Sequence, residues 1–443
     1  MNLMTAHTDI GSTPDPRLKQ SELSVAPIEG VDAEVIIPGS KSYTNRAVVI
    51  GALAEGETIL EHPLISEDTL YIANAVQQYG RAQITIDEAA DRMTIVREPG
   101  ELVAPSEPIF MGNAGTPIRC LTSFASLARG TSFITGDKRM QERPIQDLLD
   151  ALTQLGVPVR DVNGAGCPPV ELSGPSLRGG AARIRGSVSS QFTTSILLSS
   201  PYAEQDVELS IIDDLTSKPY INMTLAIMQA FGVSVERDEF RQFRVQAGQR
   251  YQARTYRIEP DASNMSYFLA AAAILGGRVR IPGIDESSAQ GDVQFIKVLE
   301  RMGCAVHVGQ ASVELRGGAL RGIEVDMNWM PDLVPTLAVA AAFAEGATHI
   351  TNIANLRIKE CDRIDAMETE LRKMGVRAES TADTLTVYGG PSHGAAIDTY
   401  NDHRIAMSFA VAGLRTPGVV VRNPGCVAKS FPTFWQVFDG LRR

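Results

Sequence analysis

Internal repetition is the feature that most restricts how this chain can fold. One pattern recurs: a polar turn, a helix-forming segment of small apolar residues, a short break and a β-branched strand. Six copies, each 70 to 77 residues after the one before, nearly fill the 443 residues. Self-similarity at a fixed period indicates one structural unit built several times, with neighbouring units sharing a core. The copies begin near Pro38, Met111, Val188, Pro260, Met330 and Tyr400.

A second helix-forming segment lies between successive copies and usually ends at a glycine, as in LLDALTQLG and IKVLERMG. Glycine just past the last turn is the usual stop signal, so each unit reads β-α-β-α-β-β. The alanine-rich first helices, such as FLAAAAIL, carry few charges on any side, and such helices are buried. We therefore predict an α/β fold with the first helices packed together inside and the sheets outside.

Two other folds fit parts of this pattern. In an ordinary doubly wound α/β protein the helices would resemble each other by chance, which six copies at near-constant spacing disfavour. A solenoid would carry distinct capping repeats, and their absence from the sequence disfavours that fold.

Charge and cysteine content restrict the partners and the compartment. The chain has 41 basic and 52 acidic residues and a net charge of −11, so we expect neither nucleic acid nor an anionic membrane as a partner. No apolar run approaches the roughly 18 residues needed to cross a bilayer. The five scattered cysteines lack metal-site spacing and are typical of reduced thiols, which predicts a cytoplasmic protein. The polar composition of residues 1–25 predicts a mobile N-terminal segment, which we call the polar lead-in.

The polar turns before the buried helices predict where the chemistry lies. Backbone N–H groups at a helix N-terminus lack partners and carry partial positive charge, so they bind phosphate and carboxylate. A lone Lys or Arg is usually solvated surface, but basic residues at the same point of several repeats predict a shared anion site. The turns hold Ser40, Lys41, Ser42, Asn45 and Arg46; Gly112, Asn113, Gly115, Thr116 and Arg119; Ser189, Ser190 and Gln191; and Asn401, Asp402, His403 and Arg404.

The GSKS turn is not a nucleotide-binding P-loop, because Ser40 separates Gly39 from Lys41 where that motif needs Gly-Lys. A kinase or nucleotide hydrolase is therefore disfavoured.

Segments along most of the chain resemble the enolpyruvyl transferase family, and within it the branch that uses shikimate 3-phosphate. They run in order from about residue 30 to the C-terminus, and together they are highly specific. The segments are PGSKSYTNRA, GNAGTPIR, GDKRMQERPI, SSQFTTSILL, SKPYINMTL, DASNMSYFLAAAA, MPDLVPTLAV, NLRIKECDRI, TYNDHRIAM and NPGCVAKSFPTF.

The resemblance implies a two-domain inside-out α/β barrel built from six β-α-β-α-β-β repeats, three in each domain, joined by a double crossover. One domain would hold residues 38–258 and the other residues 1–37 and 259–443, with the active site in the cleft between them. The implied reaction joins phosphoenolpyruvate to shikimate 3-phosphate and releases phosphate, through a tetrahedral intermediate, with no metal and no organic cofactor. The protein is expected to work as a monomer.

The resemblance also implies roles residue by residue. The catalytic residues would be Asp332, Glu360 and Lys41. The phosphoenolpyruvate-binding residues would be Lys41, Gly115, Arg143, Gln191, Arg363, Arg404 and Lys429. The shikimate-3-phosphate-binding residues would be Ser42, Arg46, Ser189, Ser190, Gln191, Ser217, Tyr220, Asp332, Asn355 and Lys359.

Two carboxylates suit the proton transfers of this reaction. We expect Asp332 to take the proton of the attacking hydroxyl, and Glu360 or Lys41 to handle the proton at the methylene carbon. Asp332 also precedes an apolar helix, where aspartate commonly acts as an N-cap. His403 receives no chemical role from the sequence alone.

Three residues depart from the family pattern: Cys361 stands where threonine is usual, Cys120 where proline is common, and Pro117 where alanine is usual. They change no charged position, so the expected activity stands. The family is the target of glyphosate, and because Gly115 leaves room for it we expect inhibition. We further expect substrate charge to close the cleft, with repulsion among its cations holding it open before binding.

Two rival functions remain open at this stage. The branch of the family that uses UDP-N-acetylglucosamine usually carries a cysteine in a mobile loop near a G-x-R-P run, and no cysteine here has that context. A non-catalytic anion-binding scaffold would be signalled by loss of Lys41, Asp332, Glu360 or Lys429, and all four are present.

Overall fold

The computed structural model describes residues 15–442. The α-helices of this part of the chain are α1 (Lys41–Gly51), α2 (Glu67–Gln78), α3 (Gly115–Ala125), α4 (Gln146–Gln154), α5 (Ser190–Ser199), α6 (Lys218–Ala230), α7 (Ala262–Leu275), α8 (Phe295–Arg301), α9 (Val334–Ala342), α10 (Arg363–Lys373), α11 (His403–Gly413) and α12 (Phe434–Asp439).

The strands of the same residues are β1 (Glu22–Ser24), β2 (Asp32–Glu34), β3 (Gly56–Glu61), β4 (Ala82–Asp87), β5 (Arg92–Arg97), β6 (Ile109–Phe110), β7 (Gly130–Thr135), β8 (Val159–Asp161), β9 (Val170–Gly174), β10 (Gly180–Ile184), β11 (Val207–Ile211), β12 (Glu236–Asp238), β13 (Gln242–Val245), β14 (Thr255–Arg257), β15 (Arg278–Pro282), β16 (Ala305–Gly309), β17 (Ser312–Arg316), β18 (Glu324–Asp326), β19 (Ala347–Thr351), β20 (Arg377–Ser380), β21 (Leu385–Tyr388), β22 (Ala396–Ile397) and β23 (Val420–Arg422).

The sheets repeat one connectivity, which confirms the repeated unit predicted from the sequence. In the order β6-β7-β9-β8 the first pair is parallel and the next two pairs are antiparallel. The same pattern recurs in β10-β11-β13-β12, β14-β3-β5-β4, β2-β15-β17-β16 and β18-β19-β21-β20. The sixth sheet has β22 parallel to β23 and takes β1 as its antiparallel strand.

Two chain crossings connect the halves of the molecule. Strand β2 pairs with β15 of the fourth unit, whereas β14, which follows the third unit, pairs with β3 of the first. The two crossing segments run side by side, because Ser40 N donates to Glu259 O and Asp261 N donates to Pro38 O. The N-terminal strands therefore belong to the sheets of the last three units.

The polar lead-in predicted over residues 1–25 does not extend over residues 15–25. Asp15 is buried, and its carboxylate accepts hydrogen bonds from the backbone and side chain of Arg17. Strand β1 pairs with β23, which would otherwise present an open sheet edge. Val25 joins the hydrophobic core. Residues 1–14 lie outside the described residues.

The first helix of each unit is buried, as its composition predicts. Every residue of α9 and α11 is buried, and in α7 only the last residue is partly exposed. Helices α1, α3 and α5 pack against one another, and α7, α9 and α11 do the same, with the sheets outside them. The small side chains of these helices allow close approach of their axes.

The buried hydrophobic side chains of the described residues form two clusters. One spans Tyr43 to Ile258, and we call it the N-terminal core. The other joins Val25, Val31, Val35 and Ile37 to residues from Ala262 to Leu441, and we call it the C-terminal core. No helix within residues 15–442 is both long enough and apolar enough to cross a membrane.

Candidate active site

The N-terminal ends of buried helices face one cavity between the two cores. Local sequence explains these ends: Ser189 caps α5 and Asp402 caps α11 through their side-chain oxygens. The cavity measures only about 50 Å³, enough for a few water molecules. Its lining from these ends includes Lys41, Ser42, Gly115, Thr116, Ser189, Ser190, Gln191, Asp332, His403 and Arg404.

The structure brings the residues predicted from the sequence into this one place. Arg363 and Lys429 lie directly behind the wall, where each contacts a lining carboxylate. The other predicted residues line the cavity: Lys41, Ser42, Arg46, Gly115, Arg143, Ser189, Ser190, Gln191, Ser217, Tyr220, Asp332, Asn355, Lys359, Glu360 and Arg404. Residues far apart in the chain therefore converge, although their chemical roles remain a proposal.

Arg46 is buried, and much of its guanidinium is bound within the N-terminal core. It donates from Nε to Thr224 at 2.8 Å, from Nη1 to Ser42 O at 2.9 Å and from Nη2 to Tyr220 O at 3.2 Å. Burial lowers its pKa. These bonds hold Ser42 and Tyr220 in place at the cavity wall.

Asp332 is surrounded by cations. Its oxygens lie 3.0 Å from Arg363 Nη1, 2.9 Å from Arg404 Nη2 and 3.4 Å from Lys359 Nζ. Burial by itself raises the pKa of Asp332, but these positive charges outweigh burial and hold that pKa well below its ordinary value. In the described residues its side chain caps no helix. Asp332 is therefore an ionised group aimed at the cavity.

Glu360 occupies a similar environment on the other side of Arg363. Its carboxylate lies 2.9 Å from Arg363 Nη2 and 4.0 Å from both Arg143 Nη1 and Lys429 Nζ. Burial raises the pKa of Glu360, but the charges of Arg363 and Arg143 outweigh burial and hold that pKa well below its ordinary value. Glu360 is therefore ionised in this arrangement.

The cations of the cavity have counterions from within the chain, which differs from the repulsion expected from the sequence. Lys429 Nζ lies 2.8 Å from Asp68 Oδ1, and Lys41 Nζ lies 3.1 Å from Asp68 Oδ2. Arg139 of the N-terminal half donates to Lys359 O at 2.9 Å. These bonds draw the two halves together without any added anion.

Two polar lining residues, Asp68 and Thr216, were not singled out from the sequence, and two more, Thr116 and His403, were named in turns without a role of their own. Asp68 lies in the first turn of α2, where acidic residues are common because they interact favourably with the helix dipole. An aspartate at this position therefore does not indicate an active-site residue. Thr116 was seen only as part of a turn. Thr216 accepts a hydrogen bond from Asn355 Nδ2 at 3.0 Å, across 139 residues of sequence. His403 lines the cavity as a buried side chain.

His403 has no hydrogen-bond partner on either ring nitrogen among the described residues. Burial, followed by the charges of Lys41 and Arg404, lowers its pKa well below the ordinary value. The imidazole is therefore neutral beside several cations.

The departures from the family pattern lie outside the cavity lining. Cys361 lies 3.6 Å from Asp402 Oδ2, where its thiol donates to that carboxylate. Burial raises the pKa of Cys120 to about 11. Pro117 occupies the first turn of α3, where proline's missing N–H removes no helical hydrogen bond. Within residues 15–442 no group of three or more His, Cys, Asp or Glu residues could hold a metal ion.

Comparison with known proteins gives one consistent result. A model of the family described as "EPSP synthase (3-phosphoshikimate 1-carboxyvinyltransferase)" matches residues 25–438. The 3-phosphoshikimate 1-carboxyvinyltransferase of Trichormus variabilis is 44% identical over 409 residues, covering 92% of this chain and 96% of that protein. The one from Methanoculleus marisnigri is 44% identical over 412 residues, covering 93% and 97%.

Solved structures agree. The structure of EPSP synthase from Acinetobacter baumannii has a TM-score of 0.80 to this chain at 29% identity, and the match covers 95% of this chain and 98% of that one.

Proposed function

The chain belongs to the EPSP synthase (3-phosphoshikimate 1-carboxyvinyltransferase) family, and on this basis we propose that it transfers the enolpyruvyl group of phosphoenolpyruvate to the 5-hydroxyl of shikimate 3-phosphate. This step of the shikimate pathway, which leads to the aromatic amino acids, also yields inorganic phosphate. The observation that carries the proposal is the convergence of helix N-termini, cations and two ionised carboxylates on one cavity. Two anionic substrates can lie side by side only where several cations offset their repulsion.

The phosphoenolpyruvate site is assigned to the cations nearest Glu360. Arginine suits the phosphate and carboxylate of this substrate because its planar fork makes paired hydrogen bonds. Gly115 lines the site beside Arg143, and a Cβ at residue 115 would lie 2.5 Å from Arg143 Nη2. The binding residues are Lys41, Gly115, Arg143, Gln191, Arg363, Arg404 and Lys429.

The shikimate 3-phosphate site is assigned to the hydroxyl-rich side of the cavity. Ser189 and Ser190 present hydroxyls and backbone N–H groups at the start of α5, where phosphate binds readily. Lys359 adds a positive charge to the lining of the same cavity. The other members of this site are Ser42, Arg46, Gln191, Ser217, Tyr220, Asp332 and Asn355.

The chemistry follows from the charges around the two carboxylates. Asp332 takes the proton of the 5-hydroxyl while the hydroxyl oxygen bonds to the enol carbon. A proton passes from Glu360 or Lys41 to the methylene carbon, which gives the tetrahedral intermediate. The same group then takes a proton back from the methyl carbon as phosphate leaves, which restores the double bond. General acid–base catalysis of each such proton transfer typically raises the reaction rate by about 10²–10⁴-fold.

Substrate binding prepares Glu360 for its role. In the described arrangement Arg143 and Lys429 help to hold its pKa down. When the anionic groups of phosphoenolpyruvate share these cations, the pKa of Glu360 rises and the carboxyl can carry a proton. The cavity of about 50 Å³ must widen first, so the two cores, taken as domains of residues 38–258 and of residues 1–37 with 259–443, move apart to admit substrates.

Glyphosate is proposed as an inhibitor, because it is a small anion that suits the cations of the phosphoenolpyruvate site, where Gly115 has no side chain that would displace Arg143. A cytoplasmic monomer is proposed for two reasons. The site residues all come from one chain, and the five cysteines are free thiols, as expected in a reducing compartment.

One assay tests this function. Phosphate release from phosphoenolpyruvate is measured with shikimate 3-phosphate, with UDP-N-acetylglucosamine and with neither. We expect release only with shikimate 3-phosphate. Release with the nucleotide sugar would favour the other branch of the family, and no release with either would favour a binding scaffold.

The Asp332→Asn variant tests the site itself. We expect kcat to fall by about 10²–10⁴-fold, because the hydroxyl proton loses its acceptor. The matched control is Asp326→Asn on strand β18, an exposed residue outside the cavity lining, which should retain wild-type kcat. Equal activity of the two variants would contradict the role of Asp332.

A further inference from the structure

A second cavity lies at the end of the N-terminal core opposite the active site, where α1, α3 and α5 end. We call it the basal cavity and define it by Leu53, Arg97, Leu102, Leu127, Tyr202 and Tyr251. Its volume of about 670 Å³ is typical of small-molecule sites. Lys41 and Leu53 mark the two ends of α1, and a rise of 1.5 Å per residue separates them by roughly 18 Å. None of the proposed substrate-binding residues lines the basal cavity.

Arg97 is an unusual residue for its position. Alternation along β5 buries Met93, Ile95 and Arg97 on the same face, so the strand ends its apolar face with a guanidinium. Arg97 is only 7% exposed. Nη2 donates to Gly100 O at 2.8 Å, but Nε and Nη1 are covered by neighbouring atoms and have no hydrogen-bond partner in the described part of the chain.

The charge of Arg97 is poorly compensated. Burial lowers its pKa, and the nearby charge of Glu55 only partly opposes this effect. Buried donors without partners are unfavourable, and a buried cation even more so. An incoming acceptor with a negative charge would satisfy both deficits.

The walls of the basal cavity combine apolar and aromatic side chains with polar and charged ones. The hydroxyls of Tyr202 and Tyr251 are used elsewhere, since they donate to Leu53 O at 2.7 Å and Leu198 O at 2.9 Å. The rings therefore offer carbon surface, and Arg250 stacks on Tyr202 with its guanidinium carbon 4.8 Å from the ring centroid.

The mouth of the basal cavity limits the charge of its ligand. Glu55, Glu101 and Glu204 lie there and are exposed to solvent. They would repel a multiply charged anion more strongly than a singly charged one.

We propose that the basal cavity binds a small organic carboxylate with an apolar body. Arg97 lines the cavity, and the carboxylate accepts hydrogen bonds from its unpartnered N–H groups once the guanidinium turns toward the ligand. The apolar body packs against Leu102, Leu127 and the tyrosine rings. A single negative charge matches a single buried cation behind an acidic mouth.

Calorimetric titration with benzoate, and with its neutral analogue benzamide, tests the proposal. We expect benzoate to bind the wild type at least about tenfold more tightly than it binds Arg97→Met, because a hydrogen-bonded charge pair is lost. The matched control is Arg92→Met, which removes an exposed arginine from the same strand and should bind benzoate like the wild type. Benzamide should bind the wild type more weakly than benzoate does.

A second variant and a kinetic readout locate the binding. Leu127→Trp should weaken benzoate binding by filling the cavity while Arg97 stays in place. Benzoate should leave the KM for phosphoenolpyruvate unchanged, whereas binding in the active site would raise it.

Four results would overturn the proposal. They are no benzoate binding to the wild type, equal affinity of wild type and Arg97→Met, equal affinity for benzoate and benzamide, and competition with phosphoenolpyruvate. Arg97-dependent binding of inorganic phosphate as tight as that of benzoate would show a simple anion site instead, and would also count against it.

Discussion

Buried charges define the site at the scale of single residues. Arg363 is 1% exposed and lies within 3.0 Å of oxygens of three carboxylates, Asp332, Glu360 and Asp402. A buried charge is tolerable only when it is paired and hydrogen-bonded. The same network places the cations where substrate anions compete with protein carboxylates for them. Stability and chemistry therefore depend on the same side chains.

Replacing Gly115 by alanine should weaken phosphoenolpyruvate binding. The added methyl group would lie 2.5 Å from Arg143 Nη2 and 2.7 Å from Arg119 Nη1, so both guanidiniums must shift. We expect kcat/KM for phosphoenolpyruvate to fall about ten- to a hundredfold, since misplacement by about 1 Å can have effects of that size. Inhibition by glyphosate should weaken too. Steady-state kinetics measures both.

The control for this variant is Gly390→Ala, because nothing lies within 4 Å of a Cβ at that position. Unchanged kcat/KM in Gly115→Ala would mean that the added methyl group displaces neither guanidinium.

His403 should make stability fall on mild acidification. Its pKa in the folded chain lies well below the ordinary 6.5, so below pH 6.5 the unfolded chain binds a proton that the folded chain does not. Its stabilising contribution is therefore present above pH 6.5 and is lost as pH falls through and below that value. Relative to His403→Asn, the wild type should lose up to about 1.4 kcal/mol for each pH unit below 6.5.

Urea unfolding at pH 7.5, 6.5 and 5.5 measures this difference. Parallel pH dependence of wild type and His403→Asn would show that the imidazole takes up its proton equally in the folded and the unfolded chain.

At the scale of elements, helix starts carry both structure and function. Asp402 caps α11 by accepting from Arg404 N at 2.8 Å, and it also accepts from Arg363 Nε at 2.7 Å. Asp362 caps α10 in the same way, accepting from Ile364 N at 3.1 Å, but its side chain is 32% exposed. The two caps have similar backbone geometry and each pairs with an arginine at 2.7 Å, but the pair of Asp402 with Arg363 is buried, whereas the pair of Asp362 with Arg357 is partly exposed.

Alanine substitution at these two caps should separate the contribution of helix capping to stability from the contribution of the buried ion pair with Arg363. Asp362→Ala should lower the free energy of unfolding by about 1 kcal/mol, as expected for loss of an N-cap. Asp402→Ala should lower it by about 3–5 kcal/mol, because it also leaves Arg363 with fewer buried counterions. Chemical denaturation measures both variants. A similar loss in both would mean that the Arg363 pair contributes little.

At the scale of the whole molecule, a few polar contacts hold the two cores together across the cavity. Lys429 in the C-terminal half bonds Asp68 at 2.8 Å and Asn113 O at 2.7 Å in the N-terminal half. Arg139 and Lys359 make a second link, and Ser217 N and Asn328 O a third, at 3.2 Å. Since these links are polar rather than hydrophobic, substrate anions can replace them.

Removing Lys429 should open the unliganded molecule. Small-angle scattering of Lys429→Met without substrates should give a larger radius of gyration than the wild type, because the tie to Asp68 and Asn113 is lost. The control is Lys297→Met, which removes a lysine that pairs with Glu286 on the surface. Identical scattering of wild type and Lys429→Met would mean that other contacts hold the two halves together in the absence of substrates.

Much of the fold and the site was predictable from local sequence. The six units follow from recurring turns, alanine-rich helices and glycine stops, because these signals act over a few residues. The anion-binding turns around Lys41, Ser189 and Arg404 follow from helix-end physics in the same way. Resemblance to a family then assigned residues such as Lys429 and Asn355, which no local pattern singles out.

Tertiary structure alone decided the rest. Asp68 joins the site through a contact with Lys429 across 361 residues, and β1 packs because β23 leaves an edge open. The burial of Arg97 at the basal cavity likewise depends on walls contributed by three units. Local patterns specify which elements form, but the partners of a buried charge depend on how distant elements pack, and that packing is a property of the whole chain.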